Sequence, residues 1–290
     1  MAAVVPTRPA PGRGPGTREL VQNLTMREVR SQFKRTALGR LWSIINPLAI
    51  IAIYSLVFGF ILVSPITPGT NSGIHVFALF LATALIPWSF FAAAILTGMG
   101  SIVNNEGLLS KVYFPRFILP VSSILAIAVT FGIELSLLTI VMAIAGGIEV
   151  FLFLPGLIAM AVIMIVFCIG VALMLSVAMV YFRDTQHFMA LFIQLWFYAT
   201  PIIYSQALVQ SQEQKLQASG WNLFGEPFPL LFLYNLNPAT LFTGAFRTML
   251  YDFAWPAWPV WLGASVWALA MLGIGSLVFR RFSARMVEEL

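Results

Sequence analysis

The chain has 290 residues, 60% of them apolar and only 9% charged, with 16 Lys and Arg against 11 Asp and Glu for a formal net charge of +5. Soluble domains carry about a quarter of their residues as charges and disordered chains need low hydrophobicity, so both classes are excluded. Nucleic-acid binding is excluded too, because too little polar surface exists to present the basic residues on a water-exposed face.

Residues 1–16, rich in Pro, Gly, Ala and Arg, predict a disordered cytoplasmic tail and lack the apolar core of a signal peptide. Residues 17–40 mix charges with Leu20, Val21, Leu24, Met26, Val29 and Phe33. Thr25 and Glu28 have capping-box spacing, which predicts a helix restarting at Thr25. Met26, Val29, Phe33 and Ala37 then share one face, with Arg27, Arg30 and Lys34 on the adjoining one. That pattern fits an amphipathic interface helix lying in the headgroup layer; a solvated helix packed on a soluble partner is the alternative.

From Leu41 to Asn105, 65 consecutive residues include no Asp, Glu, Lys or Arg, whereas about 20 apolar residues suffice to cross a bilayer. The predicted fold class is all-α: a polytopic membrane protein with six transmembrane helices, occupying 41–279. The spans fall at Leu41–Val63, Val76–Leu96, Phe117–Ala145, Phe151–Phe182, Phe188–Tyr204 and Ala254–Phe279. Turn formers at Ser64–Gly73 close the first span, and Gly69 and Gly73 belong to that turn and not to a helix-dimer motif. Six spans place both termini on one side, which receives fourteen of the sixteen Lys and Arg; only Lys215 and Arg247 fall opposite. The termini, including 280–290, are therefore expected in the cytoplasm. That orientation also rejects Asn23-Leu24-Thr25 as a glycosylation acceptor.

The external segment 205–253 contains two apolar stretches, Pro229–Asn235 and Ala239–Leu250, that are too short to cross. Twelve helical residues cover about 18 Å of a core of about 30 Å. Non-helical backbone at membrane depth needs shielding by protein or water, so these stretches predict short re-entrant helices turning at Asn237-Pro238.

Absences narrow the chemistry. No P-loop occurs and none of the three lysines follows a glycine, so the chain is not expected to hydrolyse nucleotide. His75 and His187 fall on opposite sides and cannot share a metal site, and the single cysteine, Cys168, reads as a small buried side chain. Glu134 is the one ionisable residue deep within a span, a functional candidate by default; a helix-packing or wet-cavity contact competes with transport chemistry. The chain has 25 Phe, 8 Trp and 7 Tyr. Interfacial belts and core packing account for most aromatic rings. A subset lining a sugar path also fits, with Trp88, Phe91, Trp196, Tyr198 and Tyr204 as candidates beside Glu134.

Several stretches together resemble one family. ALGRLWSIINPL (Ala37–Leu48) resembles the approach to the first span in the transmembrane subunits of ABC-2 type polysaccharide exporters. LLSKVYFPRFILP (Leu108–Pro120) is similar to their cytoplasmic connection between spans two and three, and YFRDTQH (Tyr181–His187) to that between spans four and five. WFYATPIIYS (Trp196–Ser205) and NPATLFTGAFR (Asn237–Arg247) resemble the end of span five and the external re-entrant segment. The likeness runs from about Thr17 to the C-terminus.

The resemblance implies a homodimer in the bacterial plasma membrane, joined by two copies of an ABC ATPase that binds ATP and Mg. Such a complex moves a lipid-linked polysaccharide outward through a channel. A drug or simple lipid is the alternative cargo. It also implies an ATPase-coupling element at 105–116, carried here by Glu106, Leu108, Leu109, Lys111, Phe114, Pro115 and Arg116, with Pro115 and Pro120 to stiffen it. Headgroup access would fall to Arg27, Arg30, Lys34, Arg35, Gly39 and Arg40, although ordinary anionic membrane lipid is an equal partner for them.

Overall fold

The structure is a computed structural model that describes residues 16–32, 41–61, 66–109, 114–220, 222–223, 226–227, 229–283 and 286. Eleven α-helices run in chain order through the described residues: α1 Thr17–Gln32, α2 Trp42–Tyr54, α3 Phe77–Gly100, α4 Glu106–Leu109, α5 Ile118–Gly146 and α6 Leu154–Tyr181, then α7 Thr185–Tyr198, α8 Gln206–Ala218, α9 Leu230–Leu236, α10 Pro238–Leu250 and α11 Trp258–Phe282. A π-helical stretch, Ser55–Ile61, continues α2, and a 3-10 turn, Ile148–Phe153, leads into α6. The only extended pairing among the described residues is a two-residue antiparallel ladder, Asn222–Leu223 with Glu226–Pro227.

Among the described residues, four segments are long and apolar enough to cross a membrane: Phe77–Gly100, Ile118–Gly146, Ile148–Tyr181 and Trp258–Phe282. They coincide with four of the expected spans because uninterrupted apolar residues leave the backbone no internal alternative to helix in lipid. The other two expected spans are shorter as helices. Apolar helix at the first runs over Ile45–Ile61, and α7 has 14 residues, about 21 Å of rise.

α3 is the axis of the bundle, packed between α5 and α6 and touched by α2, α7 and α10. Its core-facing rings make the centre aromatic: Phe90 stacks on Phe131 of α5 at 4.6 Å, and Phe91 on Phe167 of α6 at 5.7 Å. Lipid offers no hydrophobic drive between helices, so close approach through small residues does the joining. A Cβ on Gly170 of α6 would meet the backbone of Met271, and one on Gly275 of α11 would meet the backbone of Gly170. These helices therefore cross with their main chains in contact. Gly98 of α3 makes room for the Ala172 side chain of α6.

α1 departs from the sequence expectation. It is continuous from Thr17 to Gln32 and does not restart at Thr25, whose side-chain oxygen is buried without a hydrogen bond. The expected apolar face holds only in part: Val29 is buried but Met26 is exposed, while Leu20, Val21 and Leu24 pack on Phe114, Ile118 and Leu119 at the foot of α5. Burial on both sides of Thr25 holds one helix straight through. The expected extension over 33–40, with Phe33, Lys34, Arg35, Ala37, Gly39 and Arg40, lies outside the described residues, as does the tail over 1–15.

Candidate functional site

Three regions bring together the residues singled out in the sequence. The first joins the expected coupling element to α1. Residues 103–109 form a 3-10 turn followed by the single turn of α4. Leu108 and Leu109 lie against the cluster of Phe114, Ile118 and Leu119 that also seats α1, while Glu106 and Pro115 are exposed. Arg116 is half-buried, Arg30 is exposed on α1, and Lys111 lies outside the described residues. The Arg27 guanidinium donates to Asn105 Oδ1 at 2.7 Å. Among the described residues, α1 and the 105–109 turn, separate in sequence, thus meet through this bond and the shared apolar cluster.

The second region is where α7 stops. Its last turn leaves carbonyls without helical partners, and irregular backbone inside a membrane needs them satisfied by protein. Two side chains do this. Asn237 donates through Nδ2 to Ala199 O and Thr200 Oγ1, both at 3.2 Å, while its Oδ1 accepts from Trp196 Nε1 at 2.7 Å and caps α10 through the Ala239 N–H. Arg247 donates to Pro201 O at 2.7 Å and to Ile202 O at 2.6 Å, and its guanidinium lies 3.9 Å over the Phe80 ring. Tyr204 donates to Tyr198 O and shares a hydrogen bond with Tyr234 of α9. The break between α7 and α8 is thereby held by α9 and α10.

Beyond this break, the turn after the first apolar helix is stitched to the α10–α11 connection. Asn71 N–H donates to Asp252 O, Asn71 Nδ2 to Phe253 O and Tyr251 Oη to Thr67 O. Gly69 lies directly against the Tyr251 carbonyl, leaving no room for a Cβ. Asp252 Oδ1 accepts from Thr70 N–H. Burial pushes its carboxyl above the ordinary carboxylate range, against the pull of the Thr70 N–H and the Arg247 charge.

The aromatic candidates separate by exposure. Trp88 and Phe91 are buried, stacked on each other at 5.5 Å and both edge-on to Trp196. Trp196 and Tyr204 are half-buried, and Tyr198 is 58% exposed.

The third region contains Glu134. It lines a cleft of about 510 Å³ between α2, α3 and α5, together with Glu28 of α1. Asn46, Ser89, Thr97 and Thr130 face the same space. Of this set, only Glu134 is expected from the sequence. The available signal was spacing: Thr130 and Glu134 are four residues apart, and Ser89 and Thr97 eight, each pair on one helical face. Among the described residues, no group of three or more His, Cys, Asp or Glu is placed to hold a metal.

Residues 19–213 match the family described as ABC-2 type transporter. The O-antigen export system permease protein RfbA of Klebsiella pneumoniae is 28% identical over 191 residues, covering 66% of this chain and 71% of that protein. Its namesake from Myxococcus xanthus is 26% identical over 278 residues, covering 94% and 96%. The polysialic acid transport protein KpsM of Escherichia coli is 26% identical over 189 residues, covering 63% and 69%.

Proposed function

This chain belongs to the ABC-2 type transporter family, and on that premise we propose that it is the transmembrane subunit of an ATP-driven exporter carrying a lipid-linked polysaccharide from the cytoplasmic to the outer face of the plasma membrane. The observation that carries this reading is the near full-length similarity to an O-antigen export permease. The chain itself has no phosphate-cradling P-loop, so the nucleotide chemistry, with its ATP and Mg, falls to two copies of an ABC ATPase.

In this reading the protein has six spans, cytoplasmic termini and a homodimeric channel. α2 with its π-helical continuation forms the first span. α7, completed by the turn that α9 and α10 hold, forms the fifth. Support for α9 and α10 as a re-entrant pair comes from depth: Phe242 of α10 rests on Phe167, midway along α6, at 5.5 Å, while Tyr251 just past α10 meets Phe80 near the start of α3 at 5.4 Å. α10 therefore climbs outward from the middle of the bundle.

The coupling role belongs to Glu106, Leu108, Leu109, Lys111, Phe114, Pro115 and Arg116. ATP binding by the partner biases the channel through them only if the partner holds the two channel states with different affinity. α1 supplies Arg27 and Arg30 at the headgroup layer, with Lys34, Arg35, Gly39 and Arg40 following in sequence. For the glycan path, Tyr198 and the exposed Phe188 and Phe192 on α7 are better placed than Trp88 and Phe91, whose rings are spent on core contacts.

Depletion of the chain in its host tests the proposal. The expected result is loss of one surface glycan with accumulation of its lipid-linked form inside the cell. Unchanged surface glycan, or accumulation of an unglycosylated lipid or drug, overturns it.

A further inference from the structure

We propose that the cleft between α2, α3 and α5 binds the sugar head of a lipid, with the lipid's hydrocarbon chain seated in the apolar groove that continues from it. This inference rests on the reading of the chain as an exporter of lipid-linked glycan and assigns a specific recognition site to it.

The cleft, at about 510 Å³, falls within the size range of small-molecule sites. Its polar groups come from separate helices: Asn46 from α2, Ser89 and Thr97 from α3, Thr130 and Glu134 from α5. Helical Ser and Thr in a membrane usually satisfy their hydroxyls on the preceding turn. Thr83 does so on Phe80 O, Ser122 on Leu119 O, Thr139 on Leu135 O and Ser176 on Leu173 O, whereas Ser55 and Thr240 are buried singly without a partner. Ser89, Thr97 and Thr130 make no such bond, and the side chains of Asn46, Glu28 and Glu134 have no hydrogen-bond or ion-pair partner among the described residues. Six polar side chains thus face one space without partners, in a region where unpaired polar groups are costly.

The chemistry of the set selects the occupant. The described lining contains two acidic residues and no Lys or Arg, which opposes a phosphate or any other anionic head. A single amine would be satisfied at one carboxyl. Here the groups are spread along eight residues of α3, about 12 Å of rise, which matches the several hydroxyls of a sugar ring. Trp42, 48% exposed at the cleft, offers an indole face for the apolar side of such a ring. A second groove of about 220 Å³ begins at Pro47 and Glu134, shared with the cleft, and is lined beyond them by apolar side chains such as Ile51, Leu79 and Leu137. From Thr97 in the cleft to Ala78 in the groove is nineteen residues of α3, about 28 Å. The groove's own share of that length, Ala78 to Ile86, is about 12 Å, enough to seat the head-proximal part of a hydrocarbon chain while the cleft takes the head.

The test is native mass spectrometry on the intact exporter complex with its ATPase subunits, offered equal amounts of monoglucosyl diacylglycerol, phosphatidylethanolamine and phosphatidylglycerol with matched chains. The expected result is retention of the glucosyl lipid about fivefold over either phospholipid, with that preference weakened in Glu134→Gln, which exchanges a carboxylate acceptor for an amide donor, and lost in Ser89→Ala, which removes a hydroxyl. The complex mass in the same spectrum reports assembly, and Ser89→Ala decides alone if Glu134→Gln fails to assemble. Preference for phosphatidylethanolamine, for phosphatidylglycerol or for none, or a glucosyl preference that the assembled variants retain, overturns the assignment. Chain depletion separates the two readings. Unchanged surface glycan sinks the exporter reading itself, whereas abolished export with unaltered lipid retention by the variants sinks only the cleft.

Discussion

Arg27 of α1 and Asn105, 78 residues apart, meet through a 2.7 Å hydrogen bond at the turn before α4. The bond is solvent-exposed, so its removal costs at most about 1 kcal/mol of stability. Its value is positional: it ties α1 to the element proposed for ATPase coupling. Arg27→Met and Asn105→Ala are each expected to lower ATP-driven export severalfold while leaving the thermal midpoint within about 2 °C. In a double-mutant cycle the two effects should not add, because both remove one interaction. Additive losses, or wild-type export in both variants, would detach α1 from coupling.

Gly170→Ala and Gly275→Ala should each destabilise the protein, because the added methyl meets the backbone of the partner helix with no flexible side chain able to give way. Overpacking of this kind costs about 1–3 kcal/mol. Gly273→Ala, two residues away on the same helix and facing open space, supplies the control. It should match or slightly exceed the wild type in thermal stability, since Ala is the better helix former. Equal behaviour of Gly273→Ala and Gly275→Ala would show that α6 and α11 do not cross in backbone contact.

Much of this architecture was legible in the sequence because composition alone dictates it: an apolar run such as Phe77–Gly100 has no other stable form in lipid. The break at Asn237-Pro238 was legible for a local reason, Pro at the first helical position behind an Asn cap. What the sequence concealed was tertiary. The capping-box spacing of Thr25 and Glu28 is a local signal, overridden by Leu24 and Val29 packing on either side of it. The 14-residue length of α7 was hidden because hydropathy continues through Ile202 and Ile203. Only the contacts of Asn237 and Arg247 explain how the chain leaves the helix early. The cleft around Glu134 has no local signature, because Ser89, Thr97 and Thr130 are ordinary helical residues one at a time. Their meaning lies in sharing one space without partners.

Arg247 should resist every substitution, including the one that keeps its charge. Its two Nη groups serve the carbonyls of Pro201 and Ile202 while its plane covers Phe80. Lysine has no planar fork to reproduce that geometry. Arg247→Lys is expected to lower the thermal midpoint by several degrees and Arg247→Met by more, each orphaned buried acceptor costing about 1–3 kcal/mol. Limited proteolysis after Ser205 should rise in parallel as the turn loosens. A fully stable Arg247→Met protein would mean that water serves those carbonyls equally well.

Asn237 divides its two ends between two tasks, and substitutions can separate them. Its Oδ1 accepts from Trp196 and from the Ala239 N–H at the start of α10, while Nδ2 donates to Ala199 and Thr200. Asn237→Asp keeps both acceptor roles, and an acid at a helix N-terminus is favoured by the dipole, but it loses the donors that close the end of α7. Asn237→Ala loses all four contacts. The alanine variant should therefore cost about 1–2 kcal/mol more than the aspartate variant, the worth of a cap together with a half-buried hydrogen bond. The Trp196 emission, taken as the difference from a Trp196→Phe background because the chain has 8 Trp, provides a second readout, keeping its position in Asn237→Asp and shifting in Asn237→Ala as the indole N–H loses its acceptor. If instead the aspartate variant is the less stable of the two, the donors to Ala199 and Thr200 outweigh the cap, and the dominant function of Asn237 is to close α7 rather than to start α10.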